Sequence, residues 1–240
     1  MAIDSLVFGA VSKDSLCGTL YHGFFADITS AADFYSGHFV FETQGRPKIT
    51  DLVPVAPQVK WLEGAGELVV TAQVDTPLGP VEKQIVVNPS QQSVTLDYFF
   101  HWPRIPVGSL RLGHVTLNPE AFNLDDAYFA CHNGGVNRER FAIGQAPIFH
   151  GEPSSFLVSA KQGLGLTEGS VELGDDKKYL RIENDRMVST LIGLMTYKRV
   201  DRSYFLRCSF SALEMDETSR PKRVREPLRA RLKISAWRGN

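Results

Sequence analysis

The stretch ACHNGGVNRERF, residues 130–141, places a histidine, a turn and a carboxylate close together in the chain. His132 follows the strand-like segment AYFAC and precedes two glycines, which permit the positive φ of a tight turn. Glu139 lies beyond the turn, so both side chains can face one cavity. A histidine and a carboxylate can act as acid and base in epimerisation of a sugar, whereas glycoside hydrolysis uses two carboxylates. We therefore predict His132 and Glu139 as catalytic candidates; the alternative is an ordinary hydrogen-bonded histidine at a strand end.

A second group of candidates surrounds the segment VTLDYFFHWPRIPVGSLRLG, residues 94–113. The C–H faces of a sugar stack on indole rings, and its hydroxyls form hydrogen bonds with arginine, amide and carboxylate groups. Adjacent strands would also bring Lys83 and Asp97 to the same face. The alternative is that the tryptophan fills the core and that the arginine forms an ion pair. The predicted substrate-binding residues are His101, Trp102, Arg111, Asn133 and Glu168.

Other patterns argue against several classes of site. The segment GLGLTEG, residues 163–169, is not a dinucleotide-binding glycine motif, and the six histidines include no His-Glu-x-x-His arrangement. The carboxylates Glu214, Asp216 and Glu217 leave calcium as an open alternative. We predict no cofactor and no metal. The formal net charge of -1 gives no overall electrostatic footprint for nucleic acid.

Cysteine content and hydropathy bear on the compartment of the protein. The three cysteines, Cys17, Cys131 and Cys208, match no zinc or redox spacing, so we expect buried free thiols in a reducing environment. The first residues lack the basic start of a signal peptide, and no apolar run is long enough for a spanning helix. These features predict a cytoplasmic protein that has no membrane partner.

The fold class follows from repeated strand-turn-strand patterns. Segments such as EKQIVVN, SVTLDYFF, KYLRIEN and LRARLKISAW alternate apolar and polar residues and are bounded by glycine, proline, asparagine or aspartate. Turns are predicted at residues 88–90 and 174–178. More than ten such strands, with little helical periodicity, predict two large packed antiparallel sheets. We expect a single domain over residues 1–240, with residues 1–26 as a peripheral N-terminal segment.

A family resemblance rests on the order of the segments DFYSGHFVFE, TPLGPVEKQIVV, VTLDYFFHW, GSLRLGHVTLNPEAF, HNGGVNRERF, GLGLTEGSVELG and FLRCSFSALEMDET. This order resembles the β-sandwich domain that follows the catalytic barrel in family 57 and family 38 glycoside hydrolases, over residues 27–236. That domain belongs to the galactose-mutarotase-like supersandwich group. The resemblance implies an all-β, two-sheet antiparallel supersandwich whose concave face holds carbohydrate. In the mutarotases of the group a histidine and a glutamate perform acid–base chemistry, and in the hydrolases this domain is usually not catalytic.

Three functional hypotheses follow. The first is a carbohydrate-binding or accessory domain of a carbohydrate-active protein, partnered by sugar and by a catalytic domain or subunit. The second is an enzyme, either a mutarotase or epimerase or a glycoside hydrolase, that uses His132 with Glu139 or Glu168. The third is an assembly domain, in which the basic segment SRPKRVREPLRARLK, residues 219–233, docks on a partner.

Overall fold

The computed structural model describes residues 1–21, 33–132, 134, 136–143, 163–164, 166–200, 202–216 and 218–239. Within these residues the chain forms strands, turns and bends, and it contains no helix that could cross a membrane. The strands in chain order are β1 Ser5–Leu6, β2 Cys17–Gly18, β3 Val40–Glu42, β4 Ile49–Thr50, β5 Gln58–Leu62, β6 Glu67–Thr76, β7 Gly79–Asn88, β8 Ser93–Phe100, β9 Arg104–Ile105, β10 Ser109–Thr116, β11 Tyr128–Cys131, β12 Glu139–Ala142, β13 Gly163–Leu164, β14 Ser170–Gly174, β15 Lys178–Asn184, β16 Ile192–Val200, β17 Ser203–Leu213, β18 Lys222–Arg223 and β19 Leu228–Arg238.

Two antiparallel sheets make up most of the structure. The long sheet has nine strands in the order β12-β11-β14-β15-β19-β8-β7-β6-β5. The short sheet has six strands in the order β13-β16-β17-β10-β3-β4. Two smaller pairs, β1-β2 and β18-β9, complete the described strands. The predicted all-β fold of two packed antiparallel sheets is confirmed.

The alternation of side chains along each strand gives each sheet an inner and an outer face. In β15, Leu180 and Ile182 are buried, while Tyr179 and Arg181, which alternate with them, are only partly buried. The inner faces of both sheets contribute to one hydrophobic core. Since successive side chains in a strand point to opposite faces, burial of one set leaves the other set on the outer face. The outer faces therefore carry most of the polar groups that could meet a ligand.

The predicted hairpins are confirmed. Residues 88–92 turn the chain between β7 and β8, and the segment 174–178 joins β14 to β15. In the second turn the Asp175 carboxylate accepts hydrogen bonds of 2.9 Å from the backbone N–H groups of Lys177 and Lys178. A short aspartate side chain that caps its own turn in this way stabilises the hairpin locally.

The first residues pack into the same core as the sheets. Leu16 and Cys17 are buried, and Cys17 forms a β-bridge with Leu117 next to β10. The thiols of Cys17, Cys131 and Cys208 are all free and buried, as predicted. Burial raises the pKa of the Cys17 thiol to about 12, which keeps it protonated and unreactive.

A buried ion pair joins the long sheet to the segment after β4. Lys83 on β7 lies 2.5 Å from the Asp51 carboxylate, and both side chains are fully buried. The Lys83 ammonium also donates to the backbone carbonyls of Met1 and Gly37. The prediction that Lys83 and Asp97 share a face is wrong, because Lys83 lies opposite Tyr98 in the register and Asp97 is one position further along. Asp97 instead faces outward.

Candidate functional site

Trp102 lies in the core and is not a surface platform for a sugar. Its side chain is 1% exposed and packs edge-on against Phe39, Phe41 and Phe100, with ring centroids 5.0–6.3 Å apart. Its indole N–H donates to the Gly79 carbonyl at 3.2 Å. The predicted stacking on a sugar ring is therefore wrong, because protein side chains already cover the indole.

His101 and Arg111 belong to different sheets. His101 is exposed at the end of β8, beside the start of β19. Arg111 belongs to the short sheet, where its guanidinium binds Glu214 through two hydrogen bonds of 2.8 Å. The predicted substrate-binding residues therefore lie on two different sheets. Arg111 forms an ion pair, which is the alternative role considered for it in the sequence.

His132 follows β11 and is tied to a neighbouring turn. Thr167 Oγ1 donates to the His132 carbonyl at 2.7 Å and shares a hydrogen bond of 2.5 Å with His132 Nδ1. Because the threonine proton is used on the carbonyl, Nδ1 is the donor in the second bond and Nε2 remains the basic nitrogen. Gly134 has the positive φ expected of this turn, at 85°.

Glu139 does not share a face with His132. The register places Glu139 opposite Cys131, whose side chain points to the core. His132 is the next residue along the chain, so alternation turns its side chain toward the outer face. Asn133 lies outside the described residues. Glu168 is on the same turn as Thr167, and its carboxylate binds Arg138 at 3.1 Å.

The outer face of the long sheet gathers a different set of polar and aromatic side chains. Antiparallel register aligns Tyr128, Gly174, Tyr179 and Trp237 in one row across four strands. The neighbouring row contains Arg140, Ala130, Glu172 and Arg181. We call this group the outer-face cluster, and it consists of Tyr128, Arg138, Arg140, Glu172, Tyr179, Arg181 and Trp237.

Glu172 organises the charged part of the outer-face cluster. Its Oε1 accepts hydrogen bonds of 3.1 and 2.7 Å from Nε and Nη2 of Arg181, and a third from Arg138. Arg138 also donates to Glu168 and, at 3.2 Å, to Ser170. Multiple charge-assisted bonds to one carboxylate hold both guanidinium groups in fixed positions. The cluster is therefore preorganised before any ligand arrives.

Aromatic rings flank these guanidinium groups. Arg181 lies over the rings of Trp237 and Tyr179, at 5.4 and 5.9 Å from their centroids. The Arg140 guanidinium lies 3.7 Å from the centre of the Tyr128 ring. Trp237 remains 47% exposed. An exposed indole beside fixed polar groups is the arrangement that the sequence assigned, incorrectly, to Trp102.

A polar cavity opens at one end of the outer-face cluster. It has a volume of about 380 Å³. Clefts of roughly 300–1,000 Å³ are the usual size for small-molecule sites. Arg140 reaches across this cavity to Asp176, with a separation of 2.5 Å. The cavity is lined by Tyr128, Arg140, Asp175, Asp176, Tyr179, Arg238 and Gly239.

The electrostatics of the cluster favour hydrogen bonding over proton transfer by Tyr128. Burial and the nearby Glu172 carboxylate raise the pKa of Tyr128 to about 12, so its hydroxyl stays protonated at neutral pH. Burial by itself would lower the pKa of Arg138, but its bonds to Glu168 and Glu172 outweigh that effect and raise it. The site thus presents a neutral phenol and permanent cations to a ligand.

The sequence carried a signal for part of this site. In KYLRIEN and LRARLKISAW the apolar positions alternate, which places Tyr179, Arg181 and Trp237 on the outer side of their strands. No local sequence pattern indicates that β15 and β19 are neighbours, so the sequence could not show that their outer residues form one site.

Among the described residues no group of histidine, cysteine and carboxylate side chains is arranged to hold a metal ion. Glu214 is instead bound to Arg111, and Glu217 lies outside the described residues.

Comparisons with known proteins found structural likeness only at low sequence identity. No protein-family model matches the sequence, and no curated protein sequence matches it. A candidate mutarotase (YeaD) from Salmonella typhimurium has 10% identity and a TM-score of 0.47 over 82% of this chain and 70% of its own. A candidate aldose 1-epimerase from Escherichia coli has 10% identity and a TM-score of 0.45 over 99% and 89% of the two chains. The α-galactosidase from Lactobacillus brevis has 10% identity and a TM-score of 0.43, and this chain spans 31% of its length.

Proposed function

We propose that this protein binds carbohydrate on the outer-face cluster of the long sheet. The observation that carries the proposal is the exposed Trp237 indole beside Arg181, whose position is fixed by Glu172. Sugar rings pack their C–H faces against such indoles, and their hydroxyls pair with guanidinium and carboxylate groups. Two further aromatic rings, Tyr128 and Tyr179, line the adjoining cavity.

The chemistry of the cluster supports binding more directly than turnover. Its carboxylate, Glu172, is engaged by two arginines, and the Tyr128 phenol stays protonated. A general acid or base must exchange a proton near neutral pH, which a phenol with so high a pKa does poorly. We therefore infer a binding or accessory role, and a catalytic domain or subunit is a further proposed partner.

The test is a panel of mono- and oligosaccharides observed by saturation-transfer NMR. Wild type should give saturation transfer to at least one sugar. Trp237→Ala should raise the Kd for that sugar by about tenfold, since packing of the sugar ring on the indole contributes on the order of 1–1.5 kcal/mol. Trp61→Ala is the matched control, because Trp61 is 51% exposed on β5, at the far edge of the same sheet. Silence across the panel, or an equal loss in both variants, would overturn the proposal.

A second candidate is an acid–base enzyme that acts on sugar anomers. It is favoured by the hydrogen bond between His132 Nδ1 and Thr167, which leaves Nε2 as a base on the outer side of the sheet. Glu168, one residue after Thr167, is then a better carboxylate partner for His132 than Glu139, which shares the face of Cys131. The same NMR samples discriminate the candidates. Accelerated anomeric exchange that His132→Ala abolishes, with binding retained, supports the enzyme; unchanged exchange supports binding alone.

A further inference from the structure

A group of buried basic side chains lies on the short sheet, away from the outer-face cluster. The imidazoles of His38 and His114 stack with their centroids 4.2 Å apart and their planes at 22°. Arg207 on β17 approaches His38 Nε2 at 3.4 Å and donates to the Tyr35 carbonyl at 3.0 Å. Thr116 on β10 is directly opposite Arg207 in the register. We call His38, His114, Thr116 and Arg207 the His–Arg cluster.

The backbone is distorted at the point where His114 enters this cluster. The pairing of β10 with β17 shifts register between Leu112 and Val115, so Gly113 and His114 form a bulge. His114 has a φ of 40°, a left-handed conformation that is strained for a residue with a Cβ. Bulges commonly re-aim a side chain beside a functional site, and backbone strain of this kind persists where the surroundings enforce it. Here the bulge directs the His114 ring onto His38.

Several polar atoms of the cluster are buried without a hydrogen-bond partner. They are His38 Nδ1, both ring nitrogens of His114, Thr116 Oγ1 and Arg207 Nε. His38 and His114 are only 4% and 7% exposed, and Thr116 is fully buried. A buried polar atom that forms no hydrogen bond destabilises the fold, so native proteins rarely tolerate several together. Arg207 Nε can only donate, the Thr116 hydroxyl can donate, and each neutral imidazole carries one N–H, so a group with several acceptor oxygens satisfies most of these atoms.

The charge in the cluster is uncompensated as well. Burial is the cause that lowers the pKa of Arg207, to about 10, and no carboxylate among the described residues offsets it. The guanidinium is therefore still a cation at neutral pH. Burial first, and then the Arg207 charge, lower the pKa of His38 to about 2 and that of His114 well below its ordinary value. The two rings are neutral donors and acceptors beside one fixed positive charge.

From this geometry we infer that the His–Arg cluster is a binding site for a small oxyanion, the carboxylate or phosphate group of a small molecule. Such a group supplies the negative charge that Arg207 lacks and acceptors for the unpaired donors. The planar guanidinium matches either oxyanion, so the shared chemistry of the ligand is two or more anionic oxygens. This site is separate from the proposed carbohydrate site, since it lies on the other sheet.

The experiment is thermal unfolding with inorganic phosphate and with acetate, each titrated at constant ionic strength against chloride. For wild type we expect a saturable rise in Tm of about 3–5 °C at an oxyanion concentration near ten times Kd. A response to phosphate alone identifies a phosphate group, and a response to acetate alone identifies a carboxylate. Absence of a saturable response to both anions would overturn the inference.

Single substitutions show which residues produce the rise in Tm. Arg207→Met should abolish the rise, because its affinity for the oxyanion should fall tenfold or more. Arg229→Met is the matched control and should respond like wild type, because Arg229 binds Asp97 on the outer face of the long sheet. An equal response in wild type and Arg207→Met would overturn the inference. If Arg207→Met fails to fold, NMR of the wild-type histidine ring signals replaces it: His38 and His114 must shift with the same saturation as Tm, and unshifted rings reject the site.

Discussion

Lys83 and Arg207 are two cations in opposite surroundings, the first fully buried and the second partly exposed. Lys83 has a carboxylate at 2.5 Å and two backbone carbonyls as acceptors. Arg207 has one backbone carbonyl, an imidazole and no described carboxylate. The first cation has every partner that it needs within the chain, so it belongs to the architecture. Among the described residues the second has no anion beside it, and this difference supports the proposed ligand site.

The comparison also explains why each cation lies where it does. Lys83 points to the inner face, where it joins β7 to the N-terminal residue and to the segment after β4. Arg207 points to the outer face of the short sheet, where it contacts Tyr35 and His38 and remains partly exposed. A partly exposed position on an outer face can admit a ligand.

The largest effect that we expect is a loss of stability in acid, caused by His38 and His114. Their folded-state pKa values lie below the unfolded value near 6.5, so the unfolded chain binds more protons. Stability is therefore present above about pH 6.5 and is lost as pH falls, by roughly 3 kcal/mol per pH unit for two such groups. Urea unfolding from pH 7 to 4.5 should show this slope in wild type.

A double variant with His38→Gln and His114→Gln should flatten that acid slope. His101→Gln is the control and should leave it unchanged, since His101 is exposed at a strand end. A slope that survives the double substitution would mean that other groups cause the acid sensitivity.

The second effect tests the paired cation. Lys83→Met leaves the Asp51 carboxylate buried without its partner, which should destabilise the fold by about 3–5 kcal/mol. Urea unfolding at pH 7 measures the loss. The double variant Lys83→Met with Asp51→Leu removes both charges and should recover at least half of it. If the single and double variants are equally unstable, the loss comes from packing and not from the unpaired charge.

An intermediate case is the Arg111–Glu214 pair, whose side chains are each about one-fifth exposed. Glu214→Gln should destabilise by about 1–2 kcal/mol at pH 7, because it removes the ion pair and replaces one of the two acceptor oxygens with an NH2 group that cannot accept. Burial would raise the pKa of Glu214, but the bonds from Arg111 lower it overall, so this contribution disappears as pH falls through the folded pKa. Unfolding curves of wild type and variant should converge in acid; a constant offset would contradict this account.

The smallest effect should come from the unpaired cation. Arg207→Met, studied in chloride without oxyanions, should change the free energy of unfolding by less than about 1 kcal/mol. We expect any such change to increase stability. The reason is that the substitution removes a buried charge that no carboxylate stabilises. Urea unfolding beside Lys83→Met provides the direct contrast. A loss as large as that of Lys83→Met would remove the distinction between the two cations.

Local sequence patterns predicted much of the fold. The strands, the hairpins at residues 88–90 and 174–178 and the free cysteines followed from alternation, turn chemistry and spacing. Alternation also contained the answer for Trp102, because Tyr98, Phe100 and Trp102 occupy every second position and all three are buried. The incorrect assignment gave more weight to the residue type than to its position in that pattern.

The candidate sites depended on the pairing of distant strands. His132 and Glu139 are close in sequence but start from opposite faces, since the register sets Glu139 against Cys131. Trp237 and Glu172 both contact Arg181 because β15 lies between β14 and β19. The His–Arg cluster likewise requires the bulge in β10 and its pairing with β17.

The sequence by itself determined which residues form strands and which side of each strand is apolar, because side-chain direction alternates with a period of two along the chain. Only the tertiary structure decided which outer residues become neighbours and which buried charges find partners. Those contacts depend on strand order and register, which join residues far apart in sequence and are fixed by the packing of two complete sheets.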